Sequence, residues 1–124
     1  MKERVSTPSG QESIKLLAGD FLLHEGDESS EMYYVQSGTL AVLKRKGDTL
    51  NQIGTIISGE LVGEMSFLDK SPRCASVKAM SDTTVLIIPN DALDATLHAL
   101  PKWFTALLHT LLGRLRKANS RIRI

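Results

Sequence analysis

Between residues 14 and 89, apolar and polar positions alternate in short runs, and glycine-bearing turns separate most of them. Runs at 14–18, 21–24, 32–36, 40–45, 51–57, 75–79 and 84–88 follow the two-residue period of strands. Gly19-Asp20, Gly26-Asp27, Ser37-Gly38, Gly47-Asp48 and Ser58-Gly59 punctuate them. Strands this short and frequent predict a β-roll or sandwich rather than parallel βαβ units. After Pro89 the period changes. Asn90 is suited to cap a short helix over 91–100, and Pro101 suits the first turn of a longer helix reaching about residue 121. Along that second helix Trp103, Phe104, Leu107, Leu108, Leu111, Leu112, Leu115 and Ile122 recur at three-and-four spacing. Two adjacent apolar rows exceed what packing on one small roll requires, so one row is expected to meet a second copy in a homodimer.

Residues 1–12 hold Ser, Thr, Pro, Gly and Gln with almost nothing to bury, and are expected to be a disordered tail. The remaining residues, 13–124, read as a single mainly β domain with C-terminal helices, the roll over about 14–89 and the helices over about 91–121. A chain of 124 residues has room for one real core and not for two. Its single cysteine excludes an internal disulfide and points to a reducing cytoplasm. No apolar run approaches the ~18 residues of a membrane span, and the polar start lacks the apolar stretch of a signal peptide. The net charge of +1 is unevenly spread. Six basic residues and no acid lie in 101–124, against nine basic and fourteen acidic groups before them. Cations favour a helix C-terminus through its dipole, and no helix-turn-helix pattern accompanies them, so no DNA-binding domain is read here. The opening Met reads as the start of a small natural protein, with a piece cut from something larger as the alternative.

The chemistry concentrates in GEMSFLDKSPRCASV, residues 63–77. Gly63 permits close backbone approach to a ligand. The turn after it can present free N–H groups to an anion. Arg73 carries a planar, permanently charged fork matched to phosphate oxygens. Glu64 would repel a second phosphate but can accept from a sugar hydroxyl. One negative charge and one sugar hydroxyl in a single loop describe a cyclic nucleotide.

This segment resembles the phosphate-binding cassette of the cyclic-nucleotide-binding domain family, the sensor domain of the catabolite activator protein and protein kinase A regulatory subunit type. The family pattern is roughly F-G-E-hydrophobic-x-x-hydrophobic, a short gap, then P-R-x-A-[ST]-V. Val62 stands where the pattern has Phe, and Cys74 fills a slot usually held by Ala, Ser or Thr. The likeness runs from about residue 14 to about 121 and includes the turns HEGD, QSGTL and SGEL. It implies an eight-stranded, jelly-roll-like β-roll followed by two helices, of which the second is a common dimer seam. It also implies a non-catalytic sensor that binds a 3′,5′-cyclic nucleotide and passes a conformational change to its C-terminal helix and a downstream effector.

By the same resemblance Arg73 pairs with the exocyclic phosphate oxygens and Glu64 with the ribose 2′-hydroxyl. Gly63, Met65 and Ser66 bring backbone amides, while Cys74 and Ala75 line the phosphate. Val42, Ile53 and Met65 are placed against the base, with Asn119 at the purine edge. Cyclic AMP is the expected ligand, because Cys74 is a poor substitute for the Thr or Ser that bonds guanine in several relatives, and cyclic GMP is the alternative. A lone cysteine is otherwise usually a small packing residue. An enzyme is not expected: His24, His98 and His109 are scattered, no two at the spacing of metal ligands, and no nucleophile–base pair appears. Two rivals keep the fold, namely a ligand-free dimerisation or interaction scaffold and a receptor for a cyclic dinucleotide. The set Gly63, Glu64 and Arg73 speaks against the first, and Glu64 against the second.

Overall fold

The computed structural model describes residues 2–6, 10–29, 31–64, 66 and 71–122. It divides into two compact units, Met1–Pro89 and Asn90–Ile124. Among the described residues the first unit holds nine strands: β1 (Glu3–Ser6), β2 (Glu12–Leu16), β3 (Phe21–Leu23), β4 (Met32–Ser37), β5 (Thr39–Lys46), β6 (Thr49–Ile57), β7 (Leu61–Val62), β8 (Ser76–Ala79) and β9 (Thr83–Ile88). They form two antiparallel sheets, one in the order β1-β2-β9-β4-β7 and the other β3-β8-β5-β6. The mainly β architecture with C-terminal helices is the predicted one.

One core lies between the inner faces of the sheets. Alternation is clean in β9, where Thr83, Val85 and Ile87 are buried and the residues between them only half so. Val85 stands opposite Ile14 on one side and Val35 on the other, and Ile87 opposite Tyr33. The second sheet contributes Leu22, Leu23, Leu40, Val77 and Ala79 to the same cluster. Burying an aliphatic side chain of this size contributes about 1.5–3 kcal/mol, so this inward row provides the driving force for the roll.

Three turns share one construction. In LAGD, HEGD and ISGE the first residue's carbonyl accepts the N–H of the fourth, and the fourth residue's carboxylate accepts the N–H of the first. The acid thus closes its own turn, an economical use of a glycine-acid pair. The Leu17 N–H holds the Asp20 carboxyl below its ordinary pKa.

Residues 3–6 depart from the expected disorder. They form β1, paired along β2 from Glu3–Lys15 to Ser6–Glu12. Arg4 Nε donates to the Glu12 carboxylate, and Ser13 Oγ donates to the Val5 carbonyl at 3.2 Å. The strand is largely exposed. It is held by ladder hydrogen bonds and cross-strand charge pairs rather than burial, so no apolar alternation marks it. β7, only two residues long, was also outside the predicted runs.

In the second unit, helix α1 spans Asn90–His98 and α2 spans Lys102–Ile122. The Phe104 N–H donates to the Pro101 carbonyl at 3.0 Å, so the proline opens the second helix as expected. Among the described residues no helix is long and apolar enough to cross a membrane.

Candidate functional site

Leu61 and Val62 pair with Tyr34 and Tyr33, which carries the chain past the start of β4 and delivers Gly63 beside Glu31. Gly63 has φ +80°, a conformation L side chains rarely adopt. A Cβ at this position would lie 3.3 Å from the Glu31 carbonyl and overlap the guanidinium of Arg73. Glu64 and Ser66 then take helical conformation.

From the other side, the loop ahead of β8 is fastened to the HEGD turn. The Arg73 N–H donates to the Asp27 carbonyl, and the Gly26 N–H donates to the Arg73 carbonyl, both at 2.8 Å. Two backbone bonds to a self-closed turn fix where the Arg73 side chain starts. Arg73 as a whole is only 3% exposed. Nη2 donates to the Glu31 carbonyl at 2.6 Å, and Nη1 makes a long 3.4 Å contact with the Gly63 carbonyl. The group also stands 5.8 Å from the centre of the Tyr33 ring. Burial pushes the Tyr33 phenol above its ordinary pKa, and the neighbouring guanidinium opposes part of that shift. Arg73 Nε has no hydrogen-bond partner among the described residues. A buried cation with no carboxylate partner and with an unused donor among the described residues is costly, which makes this an anion-seeking group.

The two loops meet over a cleft of 140 Å³ lined by Gly63, Glu64, Ser66, Arg73, Cys74 and Ala75, with Leu23, Val42, Ile56, Val62 and Val77 as its apolar wall. Ser66 and Ala75 are buried, whereas Cys74 is exposed. Beside it, Lys44 Nζ donates to the Cys74 carbonyl at 2.6 Å and lies 3.3 Å from the Glu25 carboxylate. The cassette residues anticipated from the sequence are therefore gathered in one place, apart from Met65, which lies outside the described residues, as does the side chain of Asn119. Among the described residues no group of three His, Cys, Asp or Glu is placed to hold a metal.

Ile53 is corrected. It is 44% exposed and does not line the cleft. In the β5–β6 ladder Val42 faces Gly54 while Leu43 faces Gln52, so Ile53 is the unpaired residue of a bulge. Ile56, directly opposite Leu40, is the residue on the inner face. Leu23, Ile56, Val62 and Val77 were not anticipated as cleft residues. Val77 and Val62 sit within the cassette motif, but only the pairing of the sheets brings Leu23 and Ile56 to it.

The Glu25 carboxyl is held below its ordinary pKa, chiefly by the Arg45 N–H and then by Lys44. A depressed carboxylate stabilises the fold above its unfolded pKa of about 4.3, and that stability disappears as pH falls through the folded value. Wild type is therefore expected to melt above Glu25→Gln near neutral pH, with the gap closing below about pH 4. Paired thermal melts across that range check it.

Residues 13–99 match the cyclic nucleotide-binding domain family, and the chain belongs to that family. The cAMP-dependent protein kinase regulatory subunit of Hypocrea atroviridis is 33% identical over 95 residues, covering 77% of this chain and 20% of that protein. Lysophospholipase nte1 of Neosartorya fischeri is 35% identical over 85 residues, 68% of this chain and 6% of its own length. The chain thus spans a fifth or less of these curated relatives. Among solved structures, the Thermus thermophilus catabolite activator protein superposes with a TM-score of 0.73 at 29% identity, covering 91% of this chain and 54% of that one. The cAMP-bound form of the EAL enzyme Bd1971 gives 0.73 at 26% identity, covering 90% and 30%. Its cGMP-bound form gives 0.75 at 25%, covering 88% and 29%.

Proposed function

We propose that residues 13–124 form one non-catalytic sensor domain that binds a 3′,5′-cyclic nucleotide, cyclic AMP in preference to cyclic GMP, in the cytoplasm. The observation that carries the reading is the buried Arg73 guanidinium, with an unused Nε, in a cleft shared with Gly63 and Glu64. A phosphate oxygen offers this cation a charged partner in place of the long contact to the Gly63 carbonyl. Glu64 accepts from the ribose 2′-hydroxyl, and Gly63, Met65, Ser66, Cys74 and Ala75 surround the cyclic phosphate. Val42, joined by Ile56 in place of Ile53, supports the base.

A cleft of 140 Å³ is small beside the roughly 300–1,000 Å³ of whole-ligand pockets. It suits the sugar and phosphate and leaves the base to be covered by another element. The family resemblance gives that part to the C-terminal helix, with Asn119 at the purine edge. Ligand shifts the population between uncovered and covered states by its differential affinity for the two, and the helix reports the shift to an effector. Titration calorimetry with cyclic AMP, cyclic GMP and cyclic di-GMP tests the reading. Micromolar or tighter binding, about −8 kcal/mol, to a mononucleotide supports it, and absence of heat or thermal shift with all three defeats it.

The dimer belongs to the same proposal. Trp103, Leu107, Leu111 and Leu115 form an i, i+4 row that is exposed along α2, which is the apolar face a second copy would cover. Leu111→Asp is expected to convert a dimer to a monomer in sedimentation experiments. A wild type that stays monomeric at high concentration, or an unchanged dimer in the variant, removes the seam.

A further inference from the structure

We infer that Lys44 is a positioning residue for the ligand cleft: braced by Glu25, its ammonium holds the Cys74 peptide in place and thereby sets the affinity for the phosphoester. Lys44 Nζ donates to the Cys74 carbonyl at 2.6 Å and lies 3.3 Å from Glu25 Oε2. The counter-charge is itself fixed. Glu25 Oε1 accepts the Arg45 N–H at 3.1 Å, and the Glu25 N–H donates to Ser76 Oγ at 2.8 Å. Strand β5, the HEGD turn and the segment ahead of β8 thus meet at one ammonium.

The sheet alone leaves a gap at this point. The β5–β8 ladder ends at Leu43–Ser76, and Lys44 is the next residue along β5. Upstream, Arg73 is tied through its N–H and its carbonyl to the HEGD turn. Cys74 and Ala75 lie between these two anchorages, and both line the cleft. A peptide group is planar, so holding the Cys74 carbonyl also fixes the direction of the Ala75 N–H. Lys44 therefore supplies from a side chain what the ladder no longer provides. Both side chains of the ion pair are 32% exposed, and a pair this open adds little to global stability. A loop that has to be ordered as ligand binds lowers affinity directly, so loss of the brace falls on binding rather than on folding.

Resting on the cyclic-nucleotide reading, this role is tested by calorimetric titration of the full chain with cyclic AMP, well below each variant's melting temperature. Lys44→Met keeps the length of the side chain and removes its charge, and is expected to raise the dissociation constant about 3- to 10-fold. The Ala75 amide should exchange its hydrogen faster in that variant. Lys44→Arg returns a cation to the position and should recover most of the affinity. Glu25→Gln can still accept from Arg45 but loses its charge. Added to Lys44→Met, it should cost no more than the larger single loss, since the two act as one unit. Glu12→Gln is the control: it breaks the ion pair with Arg4 and does not line the cleft, so its affinity should stay that of the wild type. Unchanged affinity in Lys44→Met, no recovery in Lys44→Arg, or fully additive losses with Glu25→Gln overturn the role of Lys44 and leave the sensor reading standing. A wild type that binds no cyclic nucleotide overturns both.

Discussion

Arg73→Ala is expected to raise the dissociation constant for cyclic AMP about 10- to 100-fold or more, since a charge-assisted hydrogen bond contributes about 1.5–3 kcal/mol. The expectation follows from geometry as much as charge. The Arg73 backbone is tied at both N–H and carbonyl to the HEGD turn, so the guanidinium enters the cleft from a fixed point. Arg73→Lys separates the two contributions. It keeps the positive charge but presents a point rather than a fork, and its affinity should fall between wild type and alanine. The side chain also donates to the Glu31 carbonyl, so alanine is expected to lower the melting temperature as well. Calorimetry well below the variant's own melting temperature keeps the two effects apart. An alanine variant that binds cyclic AMP as the wild type does would take the phosphate role from Arg73.

Gly38→Ala is expected to be the most damaging change to stability, at about 2–6 kcal/mol, from backbone strain and overpacking that each cost about 1–3 kcal/mol. Gly38 links β4 to β5 at φ +97°, and a Cβ there would lie 2.6 Å from the Asp82 carbonyl and 2.7 Å from the Thr83 Cα. Both obstacles are backbone, which cannot swing aside. Thr83 is buried, and its Oγ1 donates to the Ser81 carbonyl at 2.8 Å, so the segment that would have to retreat is itself pinned. Gly59→Ala is the control: its φ is +92° but nothing lies within 4 Å of the added carbon. It incurs only the strain, about 1–3 kcal/mol. Chemical denaturation of the two variants should rank Gly38→Ala well below Gly59→Ala. Equal losses would show that conformation alone, and not the close approach, governs Gly38.

Much of this architecture is legible along the chain because its elements obey local rules. A strand such as β9 must alternate when only one face is buried, and a glycine-acid pair closes a turn with its own atoms. The elements that escaped are those whose stability is not local. β1 buries almost nothing and exists through hydrogen bonds and charges supplied by β2. Ile53 is one more apolar residue of the run 51–57, and nothing local marks which of its isoleucines faces inward. The pairing of Ile56 with Leu40 and of Gly54 with Val42 decides that, and leaves Ile53 at the bulge.

The candidate site divides in the same way. Gly63, Glu64 and Arg73 were identifiable from the sequence because close approach, hydroxyl acceptance and anion pairing each demand a particular residue type, whatever surrounds it. Their spacing carried the family with it. The tertiary structure decided what those residues meet: that Arg73 rests buried against the Glu31 and Gly63 carbonyls with a donor unspent, that Leu23 and Ile56 complete the wall, and that Cys74 is exposed in the cleft. Residue chemistry is a property of the chain, whereas exposure, burial and partnership are properties of the pairing of two sheets, which no local pattern records.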